Sequence, residues 1–119
     1  MQIQIHKGKQ VEVGEDFHEF VSGEIETKLK RFEERITRID AHFADENGSG
    51  KSSDNDKRCV LETHVNGIQP ISVTAHAGSV RHALEGAIDK MKTTLGRTLD
   101  KMSHTKGRTA LGDIPEAEV

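Results

Sequence analysis

Residues 58–77 read RCVLETHVNGIQPISVTAHA. In Arg58 to Asn66 the apolar side chains Leu61 and Val65, with Cys59, fall on one face, and in Gln69 to Ala77 Ile71, Val73 and Ala75 do the same. Such alternation marks half-buried strands, because successive side chains point to opposite faces. Asn66-Gly67 between them suits a reversing turn, since both residues tolerate the left-handed backbone. The stretch is predicted to be an antiparallel hairpin with one apolar face, which needs a covering layer.

That layer follows directly. Ser79 is a helix N-cap candidate, and Val80, Leu84, Ile88, Met91, Leu95, Leu99 and Met102 recur at spacings of three and four through about His104. Gly86 and Gly96 each weaken this helix by ~1 kcal/mol relative to Ala, so packing must hold it. Upstream, Ile39, Ala41 and Phe43 alternate with Arg38, Asp40 and His42, which predicts another half-buried strand. Between about Glu15 and Arg35, Phe17, Phe20, Val21, Ile25, Leu29, Phe32 and Ile36 trace a first amphipathic helix with acids in its opening turns. Glu24–Lys28 and Glu26–Lys30 stand at i, i+4 in the favourable order, worth ~0.2–0.5 kcal/mol each. Gln2 to His6 alternates, with Ile3 and Ile5 on one face, and after the turn-like Lys7-Gly8 the pair Val11 and Val13 does the same, which reads as an opening strand. The expected fold is α+β, in the order β-α-β-β-β-α. It is a two-layer sandwich of a four-stranded mixed sheet with two helices on one face and solvent on the other. Residues 1–105 form one domain, the polar stretch Asp45 to Lys57 is a loop, and 106–119 are a tail without periodicity.

Composition narrows the function. A chain of 119 residues has room for one core. Cys59 is the only cysteine, MQIQIHKGKQ contains no signal-like apolar run, and no 18-residue apolar stretch occurs, so a cytoplasmic protein without a membrane span is expected. The net charge of −3 hides an uneven distribution. Residues 1–57 hold 13 acids and 9 bases, residues 58–108 hold 4 acids and 8 bases, and the last 11 hold 3 acids and no base.

Several local patterns fail on inspection. Gly50-Lys51-Ser52 ends like a phosphate-binding loop, but Asp45 stands where its first glycine belongs and a strand follows where a helix should. Asp45, Asn47, Ser49, Gly50 and Asp56 have calcium-loop spacing without the closing bidentate glutamate or flanking helices. No Gly-x-Ser-x-Gly elbow exists and Cys59 faces inward, so no catalytic residue, cofactor or small-molecule substrate is expected. His6, His42, His64 and His76 fall at polar positions of four different strands and share the open sheet face. No accompanying cysteine or close histidine pair supports a metal there. They are a candidate RNA-contacting face beside the plainer reading of exposed polar residues.

The second helix is more informative. On a helical wheel Lys90, Arg97, Lys101 and His104 fall within a band ~60° wide, apart from the apolar stripe and from Glu85, Asp89 and Asp100. Arg108 joins them if the helix continues. On the first helix Lys28, Arg31 and Arg35 cluster within ~60°. Bases near helix ends also offset the dipole, but their separation from the acids points to a phosphate-facing surface.

In order and spacing, the opening Met1-Gln-Ile-Gln-Ile-His6, Val11-Glu12-Val13, Phe20-Val21 with Lys28-Leu29, His64-Val65-Asn66-Gly67 and Ala87-Ile88-Asp89-Lys90-Met91 resemble the ribosome hibernation promoting factors and the related ribosome-associated inhibitor, once called sigma modulation proteins. The resemblance covers about residues 1–105. It implies binding to rRNA of the small ribosomal subunit, in the channel for tRNA and mRNA, and inhibition of translation in stressed or stationary cells. Lys28, Arg31, Lys90, Arg97 and Lys101 match helix positions that tend to be basic in that family. Ser79-Val80-Arg81 departs from its usual Asp-x-Tyr segment, and Thr93 and Leu99 stand where relatives often carry bases. The chain looks like a short form, without the dimerisation domain of long members, and reads as a monomer. The alternative is a protein-interaction module that modulates a regulator through the exposed sheet face.

Overall fold

The computed structural model describes residues 1–8, 11, 13–45 and 56–110, the last eight as backbone only. Its elements are β1 (Gln2–Lys7), α1 (Phe17–Lys28), a 3-10 turn (Lys30–Phe32), β2 (Ile36–Asp45), β3 (Lys57–Val65), β4 (Ile71–Ala77) and α2 (Val80–Ala110). The four strands form one sheet in the order β1-β2-β3-β4. β1 runs parallel to β2, and the other two pairs are antiparallel. This is the expected α+β sandwich, with a mixed sheet and both helices on one face.

Register explains which side chains are inside. Ile3, Ile39, Thr63 and Ile71 lie opposite one another across the four strands, and so do Ile5, Ala41, Leu61 and Val73. These rows meet Val21 and Ile25 of α1, Leu29 just after it, and Leu84, Ile88, Met91 and Leu95 of α2, all fully buried. Each such aliphatic side chain contributes roughly 1.5–3 kcal/mol by leaving water. Phe17 meets Phe43 edge to face, with ring centroids 5.1 Å apart.

The turns follow local chemistry. Gly67 has φ +87°, a conformation that glycine adopts without the Cβ clash. Pro70 has no N–H for a ladder, and β4 starts at Ile71, two residues later than its alternation begins. The Ser79 hydroxyl accepts the His82 N–H at 3.2 Å, so Ser79 caps α2 as its position predicts. A Cβ at Gly86 would stand 3.2 Å from that of Ala75, so the glycine lets α2 lie close over β4.

Three expectations are corrected. The opening strand ends at Lys7: the Val11 N–H donates to the Gly8 carbonyl at 3.2 Å, and this turn sends the buried Val11 into the core instead of along the sheet. The first helix stops at Lys28 instead of reaching Arg35. Leu29, Phe32 and Ile36 are all buried, and a 3-10 turn places Leu29 and Phe32 on one side while the chain swings into β2. Last, α2 does not stop near His104 but continues as helical backbone to Ala110. The loop assigned to Asp45–Lys57 lies outside the described residues from 46 to 55, as does the tail from 111 onward.

Two buried polar groups on the inner face give tests. The Thr63 hydroxyl is fully buried without a hydrogen-bond partner. Thr63→Val keeps the shape and removes that unpaired group, so it is expected to add about 1 kcal/mol, read as a rise of a few degrees in thermal midpoint, whereas Thr63→Ser should lower it. Burial pushes the Cys59 thiol from its ordinary 9.0 up to about 12. At pH 8 the native thiol should react with Ellman's reagent at least ~100-fold more slowly than the urea-unfolded chain, because the thiolate is the reactive form.

Candidate nucleic-acid interface

The bases singled out in the sequence end up in three different settings. Lys90, Arg97 and Lys101 are exposed along one flank of α2, with about 16 Å between the first and last by helical rise. This flank borders β4, since the Lys90 ammonium donates to the Thr74 carbonyl at 2.6 Å. Lys90 is thus partly engaged by the fold, and Arg97 and Lys101 extend the row. The side chain of His104 lies outside the described residues.

Lys28, Arg31 and Arg35 do not share a helix face, because α1 ends at the first of them. Lys28 bonds Glu24 at 3.1 Å. That bond raises its pKa, and the charges of Glu24, Glu85 and Asp89 add to the shift. The guanidinium of Arg31 lies over the Phe32 ring at 4.5 Å and reaches α2, where a Cβ on Gly96 would come within 3.2 Å of Nη2. Arg35 is half-buried in the turn before β2, where its carbonyl accepts the Asn66 N–H at 3.2 Å. By helix geometry Arg97 and Lys101 lie on the flank of α2 opposite Gly96 and Arg31, with Asp89 and Asp100 on the crest between. The bases at the end of α1 are therefore separate from the row on α2.

The four histidines do share the open face. His6 and His42 are register partners, and their rings stack with centroids 4.5 Å apart and planes 12° from parallel. His64 stands opposite Arg38, and His76 opposite Arg58. What alternation does not show is that Asp40, on this same face, is only 5% exposed. Its carboxylate accepts the Arg38 Nε–H at 3.1 Å, and lies 3.6 Å from His6 Nε2 and 3.5 Å from His64 Nε2. The Arg38 guanidinium also stands 3.1 Å from His64 Nε2. The outline of this network was readable in the i, i+2 pair Arg38 and Asp40, which puts both charges on one side of a strand.

Asp40, Glu62 and His64 bring ligand atoms within 4.8 Å of one another. The donor set would suit a divalent cation, but Arg38 already bridges the aspartate and the histidine. An ion would have to displace that fixed positive charge, so the geometry fits an ion-pair network better than a metal site. Among the described residues, no helix is long and apolar enough to cross a membrane.

Asp40 makes a test. Asp40→Ala leaves Arg38 without its charge-assisted bond and is expected to cost about 1.5–3 kcal/mol in urea denaturation. Arg38→Ala in the same background should cost less than Arg38→Ala alone, as measured by a double-mutant cycle.

The family model described as sigma 54 modulation protein / S30EA ribosomal protein matches residues 3–103. No curated protein matches the chain. Among solved structures, the N-terminal domain of protein Y from Thermus thermophilus aligns with a TM-score of 0.63 at 17% identity, covering 82% of this chain and 99% of that one. A ribosomal subunit interface protein from Coxiella burnetii aligns with a TM-score of 0.64 at 19% identity, covering 85% of this chain and 100% of that one. At these identities the likeness is one of fold.

Proposed function

The chain belongs to the sigma 54 modulation protein / S30EA ribosomal protein family, and from that premise we propose that it is a ribosome-associated inhibitor of translation, a hibernation factor. It binds rRNA of the small ribosomal subunit in the channel for tRNA and mRNA, acts in stressed or stationary cells, and does so as a cytoplasmic monomer without catalytic chemistry. The observation that carries this reading is the family match over residues 3–103. The solved relative described as a ribosomal subunit interface protein supports it. In this reading residues 1–105 are the ribosome-binding unit and 106–119 an appendage.

Physics supports the same surface. A duplex phosphate backbone attracts a line of cations and releases its own counterions, so binding needs rows of accessible bases more than a positive total. Arg97 and Lys101 are exposed on such a row. Lys90 adds its charge while also holding β4, and Lys28, Arg31 and Arg35 add positive charge around the end of α1. His104 belongs to the α2 row by sequence. The chain's excess of acids lies elsewhere, mostly in residues 1–57 and the last 11.

The test reverses Arg97 and Lys101 to Glu and leaves Lys90 in place, so that the β4 contact is kept. Both side chains are exposed, so stability should change little. Co-sedimentation with small ribosomal subunits should weaken more than about tenfold, and the slope of log affinity on log salt should fall by about 1–2. A control variant with Lys7, Lys9 and Lys51 reversed adds even more negative charge outside both helices. Equal loss in the two variants would reduce the row to a general charge effect, and full binding by the helix variant would defeat the proposal.

A further inference from the structure

The stacked imidazoles have a place in the sheet that gives them a use of their own. His6 and His42 sit directly opposite on neighbouring strands, so the axis of the stack runs across the strands from β2 to β1. β1 is an edge strand. Among the described residues no further strand lies beyond His6 to continue the stack. The His6 side chain is 49% exposed, and no described element packs on this face. Nearly parallel planar rings that end at an open edge are a step onto which another planar ring can be added.

Charge indicates which ring. From β1 the stack meets only His6; β2 contributes Arg38, Asp40 and His42. From β3 the face receives Arg58, Glu62 and His64, and from β4 His76. The two arginines offset the two carboxylates, so histidine protonation alone sets the sign of the face. An imidazole can add positive charge and cannot add negative charge. A planar partner that brings negative charge fits this face, and an unpaired nucleotide combines the two.

We infer that the open sheet face is a second nucleic-acid contact, in which one unpaired base of single-stranded RNA stacks on His6 as the next member of the His42–His6 stack. The inference rests on the RNA-binding reading above and adds to it the chemical form of the ligand: a flipped or single-stranded nucleotide, as against the duplex backbone met by the helices. The Asp40 carboxylate stands 3.6 Å from His6 Nε2 beside the stack.

The probe is a short single-stranded RNA carrying one 2-aminopurine, whose fluorescence falls when the base stacks on a ring. The full chain is expected to quench it, with affinity rising from pH 8 to pH 6. His6→Gln removes the ring and should lose the quenching and bind about fivefold or more weakly. His6→Phe keeps a ring without a titratable nitrogen, so it should retain quenching with a shallower pH dependence. Circular dichroism checks that both variants fold, as an exposed residue on an edge strand should allow. Quenching by His6→Gln equal to that of the unaltered chain overturns the inference, as does a His6→Phe variant that behaves like His6→Gln. Absence of quenching by the unaltered chain at both pH values also overturns it and returns this face to a protein-docking role. Co-sedimentation with small subunits is measured in parallel. Sedimentation without quenching removes only the sheet-face contact, whereas quenching without sedimentation removes only the ribosome reading.

Discussion

The alignment of β2 against β3 is the constraint on which the other features depend. These are the longest strands and the interior of the sheet, and their pairing sets Ile39 against Thr63, Ala41 against Leu61 and Phe43 against Cys59. A slip of one residue would turn Arg38, Asp40 and His42 toward the helices and send Ile39, Ala41 and Phe43 to water. Burying those charges without partners would cost more than the whole fold gains. The ladder is irregular only between Ile36 and Arg38, at the end next to the 3-10 turn. There the Thr37 hydroxyl donates to the His64 carbonyl at 3.1 Å, so the chain changes direction without leaving that acceptor unpaired.

Much of the architecture was legible because its periods are strong. The alternation in residues 58–77 and 38–43 and the three-four spacing in residues 80–102 each had one reading, and Ser79 and Gly67 do what their positions require. Where reading failed, one pattern served two conformations. Leu29, Phe32 and Ile36 have spacings that suit a continuing helix and equally a 3-10 turn leading into a strand, and only the position of β2 decides between them. Val11 and Val13 look like strand residues, yet a hydrogen bond to Gly8 takes the first out of the sheet.

The charged side chains were legible as residues but less so as neighbours. A helical wheel places Arg97 and Lys101 correctly because it needs only the helix itself. It cannot show that Lys90 reaches Thr74, or that Lys28 lies in the field of Glu85 and Asp89 from another helix. Asp40 shows the same limit: alternation assigns it to the open face, which is right, but not that Arg38, His6 and His64 enclose it there. Burial on an exposed face arises from tertiary neighbours, and a period of two carries no information about them.

The bond from Lys90 to Thr74 bears on the edge of the sheet as well as on recognition. β4 is a rim of the sheet, and an unoccupied carbonyl on a rim invites a strand from another molecule to extend the sheet. An ammonium seated on that carbonyl fills the acceptor and places a positive charge on the rim, which disfavours pairing with another strand there. The same lysine that adds to a basic row thereby covers one carbonyl of that rim.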